Sequence, residues 1–360
     1  MKDAIYSVIT GTGSYLPERI IPNEDFLSNT FYDSDGKVIE IDNRELIKKF
    51  EKITNISERR YVSDNYVTSD IAYIAAERAI KSSYIDPETL DYIIVAHNFG
   101  DVKSNNRKTD IVPSIAARVK AKLGIKNPGA VCYDVIFGCP GWLQGVIQAN
   151  YYIKSGDAKK VLVIGAETLS RVSDPNDRDS MIYSDGAGAT IFEGKENSEP
   201  VGILSHSARS DTFDYVHLLG MDKSYNPNNG ANEIFLKMNG RKLYEYALNY
   251  VPISVKNCIE KAKLTLTKIN KLLIHQANGK MDEAILQRIF KLFNIDKINP
   301  FVMPMTINKF GNNSVATLPI LLDLILNGKL ENHTISPKDN IVFASVGAGM
   351  NINAMTYRAI

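Results

Sequence analysis

Apolar runs alternate along this chain with segments whose apolar positions recur every three to four residues. The first kind reads as strands: residues 5–10, 90–97, 160–165, 187–192, 233–238, 272–275 and 340–344. The run 90–97 is apolar almost throughout, as in a strand covered on both faces. The second kind fills the intervals with helices. Ser69-Asp70 is placed to cap one that carries Ile71, Ile74, Ala75, Ala79 and Ile80 on one side. Another opens at Pro113-Ser114 and runs through Ala117, Val119 and Leu123, and further helices are predicted over 240–262, 281–293 and 315–326. A short lysine-rich helix over 46–53 has the charge of a solvated face. Residues 22–47 are polar, with a turn at 33–36. Residues 98–110 are too polar for the interior and are predicted to form a loop after strand 90–97. Gly11-Thr12-Gly13 reads as the turn that ends the first strand. It lacks the third, helix-opening glycine of a dinucleotide site.

The order of elements repeats. Residues 91–95 match 271–275, and 160–164 match 340–344, both 180 positions apart. Each pair is a helix followed by a strand that ends in a polar turn. The pattern predicts an internally duplicated α/β architecture, with an N-terminal half over 1–195 and a C-terminal half over 196–360.

Composition narrows the function classes. The chain has 360 residues, 44% hydrophobic and 23% charged, and a net charge of +1, so no nucleic-acid surface is indicated. No apolar run is long enough for a membrane span or a signal peptide. Cys132, Cys139 and Cys258 form no metal-like spacing, and their odd number points to a reducing, cytoplasmic setting.

Cys139 stands out among them. An apolar run ends at Gly138, Cys139 follows at the bend, and Pro140 sits at the expected first position of a helix continued by Trp142, Leu143, Val146 and Ile147. A cysteine at a helix N-terminus has its thiolate favoured by free N–H groups and the helix dipole. His275 and Asn312 also close apolar segments, at the strand ends and turns where α/β folds place their chemistry. Taken singly, such a histidine suits a core, and such an asparagine suits a turn.

Together these pieces resemble the 3-oxoacyl-[acyl-carrier-protein] synthase III family of the thiolase superfamily. The matching segments are Gly11-Thr-Gly-Ser-Tyr-Leu-Pro17, Gly138-Cys-Pro-Gly-Trp142, Asp174-Pro-Asn-Asp-Arg178, Asp185-Gly-Ala-Gly-Ala189, His275-Gln-Ala-Asn278 and Gly311-Asn-Asn-Ser314. The resemblance implies a five-layered αβαβα fold, a homodimer and a Cys139–His275–Asn312 triad. It implies an oxyanion site built from the backbone of Cys139 and the Gly347–Gly349 loop. It implies acylation of Cys139 from an acyl-coenzyme A or acyl-carrier-protein donor, then decarboxylative condensation with malonyl-acyl carrier protein in fatty-acid biosynthesis. No cofactor or metal is expected. The partners implied are acyl thioesters and acyl carrier protein, with Lys280 at the carrier-docking position and Arg178, Tyr244, Asn278, Val112 and Trp142 as substrate-binding residues.

Departures from the family sharpen these expectations. Pro140-Gly141-Trp142 replaces the usual small residue, glycine and phenylalanine. Lys49 and Ile53 stand where an aromatic and an arginine usually help bind coenzyme A, so a carrier-protein donor becomes plausible. Val112 replaces the phenylalanine that closes the acyl pocket across the dimer, and a larger pocket follows unless a loop residue such as Phe99 refills it. A secondary-pathway ketosynthase of the dialkylresorcinol or quinolone type is an alternative reading. A hydroxymethylglutaryl synthase would need a glutamate base that no motif supplies. A non-catalytic partner subunit is a reading from another class, and the filled triad argues against it.

Overall fold

In a computed structural model, which describes residues 4–230 and 233–360, two mixed sheets form the framework. The first has the order Ala4–Tyr15, Asp185–Asn197, Lys160–Thr168, Tyr92–Ala96 and Val131–Val135. The second has the order Gly202–Ser210, Asn351–Arg358, Asn340–Gly347 and Lys271–Ile274. In each sheet a central strand is antiparallel to both neighbours, and the next strand outward joins in parallel. The two sheets therefore repeat one pattern.

The register refines the sequence comparison. Lys271 lies opposite Ile341 as Tyr92 lies opposite Val161. Lys271 thus corresponds to Tyr92, one residue later than the match to Asp91 supposed. Strand Asp185–Asn197 runs just past residue 195, and the exposed link after it leads into the second sheet.

Helices complete five layers. Thr68–Ser83 covers the outer face of the first sheet, and its Ile71, Ala75, Ala76 and Ala79 are fully buried there with Ile93, Val95, Leu162 and Ile191. Gly141–Ser155 and Thr317–Leu326 lie between the sheets, in a core shared by Trp142, Val146, Leu321, Phe192 and Phe343. Gly240–Lys261 and Gly279–Leu292 cover the second sheet through Ala247, Val251, Val255 and Ile285.

Three expectations change. Gly11 and Gly13 lie inside the first strand, which continues to Tyr15 after an irregularity between Ile9 and Gly11. Their role is close packing: a Cβ at Gly11 would meet the Ala79 carbonyl oxygen at 2.5 Å, and one at Gly13 the Ala75 carbonyl oxygen at 2.5 Å. Residues 98–110 are not a plain loop but include a hairpin, Asp101–Lys103 with Asn106–Asp110. Arg118 clamps the base of this hairpin, donating from Nη1 to Asp101 Oδ2 at 2.8 Å and from Nη2 to Asp110 Oδ1 at 2.6 Å. Helix Thr68–Ser83 begins one residue before the expected Ser69, and Asp70 works from its first turn, accepting the Val67 N–H at 2.9 Å.

Candidate active site

The nucleophile turn is built as its residues demand. Gly138 has φ +64°, and a Cβ there would meet the Ala348 backbone nitrogen at 2.6 Å, so glycine is required both for the bend and for the neighbouring loop. Gly347 presses on Cys139 from the other side; an added Cβ would collide with the Cys139 nitrogen and meet Pro140 Cδ at 2.8 Å. Pro140 proves to be the N-cap rather than the first helical residue, and its carbonyl accepts the Gln144 N–H at 2.9 Å.

His275 follows strand Lys271–Ile274, its N–H held by the Ala344 carbonyl at 2.8 Å. Gln276 locks that turn, donating to the Pro304 carbonyl at 2.9 Å and accepting from the Thr306 N–H at 2.8 Å. Asn312 is tied to Ile182 and Ser184 by backbone hydrogen bonds of 2.9 Å each. Its Oδ1 accepts the Ser314 N–H at 2.8 Å, leaving the Nδ2 hydrogens for another acceptor.

These three turns meet. Cys139, His275 and Asn312 line one cavity of about 370 Å³, together with Ser314, Gly347, Ala348 and Gly349. Phe99, Leu169, Tyr183, Leu236 and Met238 make much of its wall apolar. A second cavity of about 1230 Å³ shares Gly220, Met221, Met238, Leu243, Met281 and Asn312 with it and opens outward. Arg178, Tyr244 and Asn278 line this outer space, as do Lys49 and Ile53. Asn278 also caps helix Gly279–Leu292, accepting the Met281 N–H at 3.2 Å. Lys280 is exposed on the first turn of the same helix.

Electrostatics differ from the simple picture of a helix-stabilised thiolate. Burial pushes the Cys139 thiol up to about 11, and the charge of Glu167 adds to this. The Ser314 hydroxyl, 3.4 Å from Sγ, pulls the other way. At neutral pH the sulfur is therefore a thiol, and its own backbone N–H and Ser314 lower a cost set by burial. Burial holds His275 down to about 4, so its imidazole is neutral, with Nδ1 buried and unpartnered. A neutral imidazole is a hydrogen-bond donor through one nitrogen.

One substrate-site expectation is corrected. Trp142 does not face either cavity; it is 1% exposed in the core between the sheets, its ring centroid 5.9 Å from that of Phe343. It stands one residue beyond Gly141 on a helix whose Cys139 end faces the cavity, and the 100° step carries it to the sheet side. Val112 is 82% exposed and lines neither cavity of its own chain, so its expected part in the pocket rests on a partner copy. Phe99 lines the inner cavity of its own chain.

The sequence reading passed over Glu167 and Asn98. Glu167 is buried at the end of an otherwise apolar strand, which was its one visible signal, and burial raises its carboxyl to about 8. Its Oε1 accepts from the Asn98 backbone N–H at 2.6 Å and from Nδ2 at 2.7 Å. It does not line the cavity and offers no free base there. Of the hairpin of Leu219–Lys223 and Ile234–Met238, which contributes Met221, Leu236 and Met238, the second strand answers to the apolar run over 233–238, whereas the first had no counterpart in the sequence pattern.

The model of the 3-oxoacyl-[acyl-carrier-protein (ACP)] synthase III family matches residues 133–212, and that of its C-terminal part matches residues 259–359. A beta-ketoacyl-[acyl-carrier-protein] synthase III of Staphylococcus aureus (strain JH1) is 34% identical over 352 residues, covering 97% of this chain and 98% of the relative. The chain belongs to the synthase III family. Its fold agrees with solved relatives. The 3-oxoacyl-[acyl-carrier-protein] synthase III of Aquifex aeolicus VF5 superposes with a TM-score of 0.77 at 28% identity, covering 98% of this chain and 99% of that one. The priming beta-ketosynthase of the R1128 polyketide pathway shares the fold at a TM-score of 0.80 and 22% identity, over 100% and 98% of the two chains. The fold is therefore the thiolase-like α/β fold with duplicated halves, and this synthase III is an acyl-transferring condensing enzyme of the fatty-acid type. Among the described residues no helix is long and apolar enough to cross a membrane.

Proposed function

We propose that Cys139 carries the acyl group and that His275 and Asn312 hold the enolate that condenses with it. The observation that supports this most directly is the convergence of the three side chains, from three separate turns, on one largely apolar cavity behind a wider outer one. The Cys139 thiolate attacks the acyl thioester carbon, and the carrier thiol leaves with a proton. The backbone N–H groups of Cys139 and the Gly347–Gly349 loop face the developing oxyanion. Malonyl-acyl carrier protein then loses CO₂. His275 and the Asn312 amide donate to the enolate oxygen, the enolate carbon attacks the acyl carbon, and the Cys139 thiolate leaves. Each step balances through thioester exchange, decarboxylation and proton transfer, so the reading calls for no cofactor.

Arg178, Tyr244 and Asn278 line the path of the pantetheine arm, and Lys280, exposed between the lining residues Asn278 and Met281 in sequence, takes the carrier protein. The working unit is a homodimer in the cytoplasm. Val131–Val135 is the edge strand of the first sheet among the described residues, and Ile111, Val112, Val131 and Ile136 expose apolar side chains close to it in sequence. The three unpaired cysteines suit a reducing compartment. Intact-mass spectrometry with a panel of acyl-coenzyme A and acyl-carrier-protein donors tests the assignment. The mass added should name the donor and vanish in Cys139→Ala, while Cys132→Ala and Cys258→Ala keep it. Acylation surviving in Cys139→Ala would overturn the mechanism.

A further inference from the structure

Behind the nucleophile lies a chain of polar side chains that the reaction just described does not use. Ser314 Oγ is 3.4 Å from Cys139 Sγ. Asn98 Nδ2 reaches Ser314 Oγ at 3.3 Å and Glu167 Oε1 at 2.7 Å, and the Asn98 backbone N–H donates to the same carboxyl oxygen at 2.6 Å. The participants come from three places: the end of strand Tyr92–Ala96, the end of strand Lys160–Thr168, and the turn after Phe310.

We propose that Ser314 donates its hydroxyl hydrogen to the Cys139 sulfur and supports the thiolate, and that Asn98 and Glu167 are positioning residues that aim this hydroxyl. The proposal rests on Cys139 being the nucleophile. Glu167 Oε1 accepts in either protonation state of the carboxyl, so the amide atom facing it must be Nδ2. That fixes the Asn98 side chain, which has one further Nδ2 hydrogen to give to Ser314 Oγ. A hydroxyl that accepts this hydrogen has its own hydrogen left to donate, and the nearest acceptor is the sulfur. His97 anchors the assembly from behind: its Nε2 pairs with Asp134 Oδ2 at 2.9 Å, and its Nδ1 accepts the Gly100 N–H at 3.0 Å.

Ser314 thereby serves both halves of the reaction with different atoms. Its backbone N–H orients the Asn312 side chain, and its φ of +51° belongs to that tight turn. Its hydroxyl faces the sulfur. Ser314→Ala removes only the hydroxyl. The other groups that act on the sulfur are the Cys139 backbone N–H, which also favours the thiolate, and Glu167, whose charge opposes it; nearby, burial keeps His275 neutral and Tyr183 protonated. Among the described residues, Ser314 is the one side chain that donates to Sγ.

The test is the pH dependence of Cys139 alkylation by iodoacetamide in the ligand-free enzyme, followed by site-resolved mass spectrometry. Ser314→Ala should move the midpoint upward by about one pH unit, which lowers the thiolate fraction near neutral pH about tenfold. Glu167→Ala should move it in the same direction. Glu167→Gln, which retains an acceptor oxygen and loses the opposing charge, should stay at or below the wild-type midpoint. A midpoint within about 0.3 pH units of wild type in folded Ser314→Ala overturns the proposal. If that variant does not fold, equal midpoints in Glu167→Ala and Glu167→Gln overturn it. No acyl donor is present, so this failure is distinct from that of the nucleophile assignment, which shows as acylation retained in Cys139→Ala.

Discussion

Phe99→Ala should lengthen the acyl chain this enzyme prefers. Phe99 lines the cavity that holds Cys139, whereas Val112 projects from the surface of its own chain. The substitution removes six ring carbons and leaves room for roughly two to four methylenes. Each methylene buried is worth about 0.8 kcal/mol, so long donors should gain about 1.5–3 kcal/mol over short ones. That corresponds to a change on the order of ten- to a hundredfold in relative kcat/KM. Phe99 is half-buried and faces a cavity, so the loss of stability should fall below the ~3–5 kcal/mol typical of a fully packed phenylalanine. The assay is competition among donors of two to ten carbons for acylation, read by intact mass. Val112→Phe serves as the comparator. An unchanged donor profile in Phe99→Ala refutes the reasoning. A shift toward short donors in Val112→Phe would show that the closing residue comes from the partner copy.

The remaining expectations divide the machinery. His275→Ala and Asn312→Ala should still acylate on Cys139 but lose malonyl decarboxylation by on the order of a hundredfold or more, since each removes a donor to the enolate; decarboxylation at the wild-type rate in either variant removes that residue from its role. Gly347→Ala places a Cβ against the Cys139 nitrogen and Pro140 Cδ, and acylation should fall by on the order of a hundredfold; near-normal acylation would show that this loop gives way. Carrier-protein donors should acylate more efficiently than the same acyl group on coenzyme A, because Lys49 and Ile53 offer no stacking face; equal kcat/KM with coenzyme A refutes this and turns attention to Tyr32 in the same outer cavity. His275 is held near 4 when folded and titrates near 6.5 when unfolded, so below 6.5 the unfolded state binds the extra proton. Its stabilisation is full above 6.5 and is lost as pH falls toward 4, on the order of 3 kcal/mol. Glu167, raised to about 8, contributes the opposite slope, so the readout is the difference in urea midpoints between wild type and His275→Gln; equal pH dependence in the two refutes it.

Much of the site was legible because Cys139, His275 and Asn312 each close an apolar run at a turn, and such ends survive in a one-dimensional pattern. Their meeting in one cavity follows from two sheets with the same strand order, which the repeat foreshadowed. Other features depend on distance in space. Gly11 and Gly13 look like a turn because glycine punctuates turns, yet here they let a helix approach a strand. Trp142 looks like a pocket residue from its neighbour Cys139, yet one helical step points it into the core. Phe99 and Asn98 sit in a polar stretch whose hairpin is held by Arg118, a contact that no local pattern records. The repeat was read one residue out in strand Lys271–Ile274, because short apolar runs slide against each other without penalty until hydrogen bonds set the register.

The placement of Trp142 has a practical consequence. It is the only tryptophan in the chain, and it projects from the helix that begins beside Cys139 onto Phe343 of the strand that leads to Gly347. The protein thus contains its own optical probe at the joint between its two halves. Excited beyond the tyrosine absorption band, intrinsic fluorescence needs no label and has one emitter to interpret. Trp142 follows Cys139 by three residues, and Phe343 precedes Gly347 by four, so both rings of the pair are tied by short stretches of chain to the walls of the reactive thiol. Its emission can follow occupancy of the site during turnover, in the unmodified enzyme.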